Sequence, residues 1–154
     1  MRRRQLVVMV MIACVITALW TSRLPQQAVY AWYRAVAFQM IADHATRQTP
    51  DPEEAALRLM AFVHDRLFVP WEEKPVADVG PLGILVAGRG WCDQQANVLA
   101  QLARRVPLDA RLVFLRDAEG RSPHSVAEIY VKGAWRVVDP FFGVAVRTER
   151  GELA

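Results

Sequence analysis

The hydrophobic rhythm of the chain changes three times. From Leu6 to Trp20 apolar residues run almost unbroken, interrupted only by Thr17. The uncharged stretch Gln5 to Ser22 is 18 residues long, the lower limit for a helix that crosses a bilayer. After Pro25 the pattern turns periodic. Val29, Trp32, Tyr33, Val36, Ala37, Met40 and Ile41 recur at steps of three and four, which predicts an amphipathic helix packed on the core by that stripe; the alternative, an interfacial helix lying on the membrane, is disfavoured by the few basic residues on its polar face. "TPDPEEAALRLMAFVHDRL" predicts a second helix. Asp51 suits the N-cap, Pro52 the first helical position and Glu54 the reciprocal capping role, with Leu57, Met60, Ala61 and Leu67 on one face. "VPWEEKPVADVGPLG", with its charged clusters and prolines, reads as a loop. Gly88 to Gly90 then lead into a helix that begins at Cys92, carries Ala96, Leu99, Ala100, Ala103 and Val106 on one stripe, and stops at Pro107.

Beyond Pro107 the period becomes two. "ARLVFLRD", "SVAEIYV" and "AWRVVDP" read as strands and "FFGVAVR" as a fourth, with turns at Asp117 to Gly120 and at Lys132-Gly133. Helices followed by an antiparallel meander define an α+β class: N-terminal helices that include a membrane segment, then a cysteine-bearing helix packed on a small antiparallel sheet. The expected divisions are a membrane signal-anchor over 1–24, a connecting helix over 25–48 and a domain over 49–154.

Charge sharpens this division. Of the 19 basic residues, Arg2, Arg3, Arg4 and Arg23 lie in the first two dozen positions, while the first acid is Asp43. From Leu24 onward 15 basic groups face 16 acids. A near-neutral domain without a lysine/arginine cluster lacks the electrostatic footprint of a nucleic-acid binder. The cationic start and the apolar run, without a good small-x-small cleavage site, predict an uncleaved signal-anchor through residues 5–22. The alternative is a signal peptide that is cleaved and a secreted product. "MIAC" faintly resembles a lipid-attachment box at Cys14, but the apolar run continues past it. Arginines held inside place the domain on the periplasmic or exterior side of a bacterial inner membrane.

With Cys14 in the apolar segment, Cys92 has no disulfide partner within the domain. A cysteine at a helix start feels the positive end of the backbone dipole, which favours thiolate, the nucleophilic form. On that segment alone an inert buried cysteine is the simpler reading. The picture changes with "PHSVAEIYVKGAWRVVDP". If Lys132-Gly133 is a two-residue hairpin turn, Val131 faces Ala134, Asp139 faces Val126, and His124 and Asp139 become diagonal neighbours on one sheet face. A bulged three-residue turn would put Asp139 on the other face. The first register gives the nucleophile, base and orienter that cysteine acyl transfer requires. Glu128, Tyr130, Trp135 and Val137 share that face, which should be largely covered. There Glu128 reads either as partly in water or as a buried hydrogen-bonding group. His64 and His44 read as structural. No zinc-spaced cluster and no EF-hand loop occurs, so no metal and no cofactor are expected.

"GRGWCDQQANVLAQLARRVPLDARLV" followed by "HSVAEIYVKGAWRVVDP" resembles the transglutaminase-like superfamily of papain-fold thiol enzymes. Its members typically show glycine-x-cysteine opening a helix, histidine at the head of a strand, and tryptophan four residues before aspartate-proline. Gly90-Trp91-Cys92, His124 and Trp135 to Asp139-Pro140 match in order, within a resemblance that covers roughly Gly80 to Gly143. Val126 stands where many relatives carry tryptophan. The resemblance implies Cys92 as nucleophile, His124 as general base and acid, and Asp139 as its orienter. It also implies a protein or peptide substrate and acyl transfer through a Cys92 thioester, either to water, as hydrolysis of protease or amidase type, or to an amine, as cross-linking; most bacterial-looking relatives favour the first. The Cys92 N–H is a natural oxyanion donor. A second could come from Trp71, Trp91, Gln94 or Gln95, and Trp91 also suits an acyl-pocket wall. The competing class is a membrane-tethered binding or assembly module that keeps the fold without catalysis.

Overall fold

The computed structural model describes residues 3–21, 23–47, 49–68, 79–149, 151 and 153. Two compact units divide at Val36/Ala37. The first holds helix α1 (Arg3–Thr21) and the opening turns of α2 (Arg23–Thr46). Its apolar side chains, from Val7 to Trp20 and at Val29, Tyr30, Trp32 and Tyr33, are exposed. No single helix among the described residues is long and apolar enough to cross a membrane. Val7–Thr21 and Gln26–Thr46, taken as one bent pair, pass by length and composition.

The second unit comprises the end of α2, then α3 (Pro52–Arg66), α4 (Gly80–Ala87), α5 (Cys92–Ala103), and strands β1 (Ala110–Leu115), β2 (His124–Val131), β3 (Ala134–Asp139) and β4 (Val144–Ala145). The strands form one antiparallel sheet in the order β1-β2-β3-β4, the expected meander. Helix α5 is central and packs on β1, β2, α3 and α4. Ala96, Val98, Leu99, Leu102 and Ala103 are fully buried, and Ala127 and Ile129 meet them from β2 in the same core. The alanines let helix and sheet approach closely, while the leucines fill the space between.

Three expectations need correction. The stripe predicted after Pro25 meets the core only in part: within the second unit Ala37 and Ile41 pack against it, Met40 is exposed, and the buried positions are Phe38, Ala42 and Thr46. These are spaced by four and lie on another side of the same helix. In α3 the Asp51 carboxylate does cap the helix, accepting from the Glu53 N–H at 3.2 Å. Glu54, however, takes the Thr49 hydroxyl at 2.8 Å and pairs with Arg58 one turn on, in place of the reciprocal cap. The buried face of α3 is Ala55, Ala56, Leu59, Met60 and Val63, while Ala61 is exposed. The third concerns α4, which lies partly in a stretch expected to be loop. Its sequence GPLGILVA is short and apolar on every side, so no helical period announces it.

Candidate active site

The β2–β3 hairpin sets half of the site. Val131 opposes Ala134, and the intervening Lys132 and Gly133 both have positive φ, at 51° and 82°. This is the two-residue turn of the first register, with the right-handed strand twist that such turns match. The pairing brings His124 at the head of β2 to Asp139 at the end of β3. His124 Nε2–H donates to Asp139 Oδ2 at 2.6 Å. Asp139 is only 6% exposed, and its second carboxylate oxygen accepts the N–H groups of Phe141, at 2.9 Å, and Phe142, at 3.2 Å. Asp139 therefore caps the turn that follows it while it holds the imidazole. Because Nε2 carries the proton, Nδ1 is the basic nitrogen. The rings of Phe141 and Phe142 pack on His124 with centroids 5.6 and 5.2 Å away. The Ser122 hydroxyl donates to the His124 carbonyl at 3.0 Å.

Cys92 is the candidate for the other half. It is the first residue of α5 and is partly exposed, so the thiol is not sequestered in the core. Arg104, just past the last turn of α5, donates to the Ala110 carbonyl at 3.0 and 2.7 Å, which fastens that end of the helix to the start of β1. The 12 residues of α5 span about 18 Å, close to the length of β1. A helix fastened there and packed along β1 and β2 carries its first residue toward the other end of the sheet, where Leu115 opposes His124. Among the described residues the Cys92 sulfur makes no hydrogen bond. Nucleophile–base contacts often tighten only when substrate is bound.

The end of α3 ties both halves together. Phe68 N–H donates to the Gly88 carbonyl and Gly90 N–H to the Phe68 carbonyl, both at 3.1 Å, which pins the approach to Cys92. Four residues earlier, His64 Nδ1–H donates to the Pro140 carbonyl at 3.0 Å, in the turn that follows Asp139. His44 is exposed, as expected.

The remaining candidates divide. Trp91 is the N-cap residue of α5, and its N–H is accepted by the Gln94 side chain at 3.0 Å, so the Gln94 carbonyl closes the helix start. Gln95 is fully buried and its amide nitrogen donates to the Gly90 carbonyl at 2.8 Å. The candidate donor Trp71 lies outside the described residues. Glu128 accepts from Arg111 at 2.6 Å, and the Arg111 guanidinium stacks 4.2 Å over Trp135, which meets Tyr130 edge-on at 5.5 Å. This part of the face is open rather than largely covered: Tyr130 is 42% and Trp135 38% exposed. Glu128 thus belongs to a partly solvated ion pair. Among the described residues no group of three acidic, histidine or cysteine side chains is placed to hold a metal ion.

A helix-borne cysteine beside a sheet that carries a paired histidine and aspartate defines a papain-like arrangement. The chain belongs to the transglutaminase-like superfamily, whose core-domain model matches residues 39–140. No curated protein matches it. Among solved structures it is similar to a protein from Cytophaga hutchinsonii proposed to be a cysteine protease, at 16% identity and a TM-score of 0.60 over 71% of this chain and 38% of that one. It is also similar to a TGase, at 16% identity and a TM-score of 0.53 over 69% and 30%. A third, a proposed protease from Parabacteroides distasonis, has 10% identity and a TM-score of 0.53 over 72% and 27%. At these identities the likeness is one of fold, and this chain spans well under half the length of each.

Proposed function

We propose that the protein is a membrane-anchored thiol hydrolase of protease or amidase type, acting through an acyl thioester on Cys92. The observation that carries this reading is the His124–Asp139 pair. A buried carboxylate fixed by two backbone N–H groups holds the imidazole proton on Nε2 and leaves Nδ1 to accept from a thiol. In the proposed cycle, His124 Nδ1 takes the Cys92 proton and the sulfur attacks an amide or ester carbonyl carbon. As the tetrahedral intermediate collapses, the bond to the leaving nitrogen or oxygen breaks and the imidazolium gives that atom its proton. Water then attacks the thioester carbon, His124 accepts a proton from it, and the C–S bond breaks to release acid and free thiol. The Cys92 N–H, at the first position of α5 and without an intrahelical acceptor, suits the oxyanion.

The test is alkylation of Cys92 by iodoacetamide near neutral pH. The native chain should react at least about tenfold faster than His124→Ala, because the imidazole assists loss of the thiol proton. Equal rates in the two proteins would favour a binding module that keeps the fold without the chemistry. The anchor rests on the apolar run from Leu6 to Trp20, whose large apolar side chains from Val7 onward are exposed. It predicts that the mature protein sediments with membranes and retains residues 1–24 by intact mass. Release by high salt, or a mature N-terminus beyond residue 24, would rule the anchor out.

A further inference from the structure

His64 is an exposed residue of α3, 76 positions from its hydrogen-bond partner, the Pro140 carbonyl. A carbonyl only accepts, so His64 Nδ1 carries a proton. The carbonyl belongs to the turn whose next two N–H groups hold Asp139 Oδ1. Gly143 closes the same turn with φ of 65°, and a side-chain carbon built on it would stand 2.8 Å from the His64 ring. The ring thus sits against the turn on one side and bonds to it on another, and the room it occupies is room that Gly143 leaves by lacking a Cβ. Four residues on, Phe68 grips the approach to Cys92 through two backbone hydrogen bonds.

From this placement we infer that His64 is a positioning residue: it fixes the Pro140–Gly143 turn against α3 and so sets the orientation of the Asp139 carboxylate toward His124. The inference rests on the proposed thiol chemistry for its catalytic consequence but not for its structural one. Asp139 is held by N–H groups of the turn, and the turn is held by the Nδ1 donor of His64. Loss of that donor leaves the Pro140 carbonyl without its bond to α3 and loosens the carboxylate that aims the imidazole. The chemistry itself stays with Cys92 and His124, which His64 need not touch.

The donor position makes the test specific. An asparagine side-chain nitrogen overlays histidine Nδ1, whereas the glutamine nitrogen overlays Nε2. The full chain carrying His64→Asn should therefore keep the function of the position and His64→Gln should lose it. Both variants place a polar group at an exposed helical site, so both are expected to fold with melting curves like the native one. The primary readout is the far-downfield proton resonance of the His124–Asp139 hydrogen bond, which reports the pair whether or not the protein turns anything over. It should persist in His64→Asn and broaden or vanish in His64→Gln. Alongside it, Cys92 alkylation should stay within about twofold of native in the first and fall about fivefold in the second, the worth of roughly one hydrogen bond. A native-like resonance in His64→Gln would overturn the inference. So would its loss in both variants, which would make the ring's shape rather than its N–H the essential feature. An alkylation rate indifferent to His124 but with the resonance behaving as stated would remove the proposed function and leave the positioning role standing.

Discussion

Replacing Cys92 with alanine should abolish acyl-adduct formation and lower ester turnover by about ten-thousandfold or more, to the level of the uncatalysed background. The expectation follows from composition as much as from geometry. The chain has two cysteines, and Cys14 lies in the apolar N-terminal run, so the domain has no second thiol to substitute. Serine at the same position keeps the shape but puts a far weaker nucleophile in front of a base arranged for a thiol, and should be nearly as inactive. Stability should barely change, because the site is partly exposed at the first position of α5 and alanine is a strong helix former. The measurement pairs intact mass after exposure to a p-nitrophenyl ester with the time course of nitrophenolate release. A mass increase at position 92 and a burst in the native chain, both missing from Cys92→Ala, is the expected outcome. A burst that survives the substitution would remove Cys92 from the chemistry.

The second large effect is expected at Asp139, where two substitutions, to asparagine and to alanine, separate two duties. Asp139→Asn can keep its oxygen on the Phe141 and Phe142 N–H groups, but its NH2 then faces His124 Nε2. The imidazole must present an acceptor there and move its proton to Nδ1, the nitrogen that should receive the thiol proton. Turnover should fall by roughly a thousand- to ten-thousandfold while the fold is kept, as wrong-tautomer variants of serine triads do. Asp139→Ala goes further. It leaves two backbone N–H groups and the His124 N–H without their acceptor in a nearly buried place, at a cost of about 2–4 kcal/mol. Urea unfolding should then show a lower midpoint in Asp139→Ala and little change in Asp139→Asn. If both variants keep native turnover, the carboxylate has no orienting role.

The sheet was legible because period-two patterning and turn chemistry agree. Lys132-Gly133 fixed the register, and the register decided which face Asp139 takes. Cys92 at a helix start was legible from the glycines before it and the apolar stripe after it. The stripe after Pro25 was legible only in part: Ala37 and Ile41 pack on the core and Met40 does not, because amphipathic spacing says that one side of a helix is apolar, not which residues the domain core covers. Glu54 was taken for a capping partner on spacing alone, and the competing Thr49 hydroxyl and Arg58 guanidinium decided otherwise. His64 was read as structural, but its partner could not be named. Its partner is a backbone carbonyl 76 residues away, and nothing in local sequence marks a carbonyl as an acceptor. The Asp-Pro-Phe-Phe-Gly run did carry a signal, since aspartate readily accepts backbone N–H groups two and three residues on, and it could have pointed to the turn that holds Asp139.

The hairpin has a consequence for how the molecule acquires reactivity. His124 and Asp139 are only 15 positions apart and meet through one tight turn, so their pairing costs little loop entropy and can form early in folding. Cys92 arrives from 32 positions upstream of His124, and only when α5 docks along the strands. A partly unfolded chain would carry an oriented imidazole but no partner for it. On the proposed chemistry, the Cys92 thiol would be armed last and disarmed first.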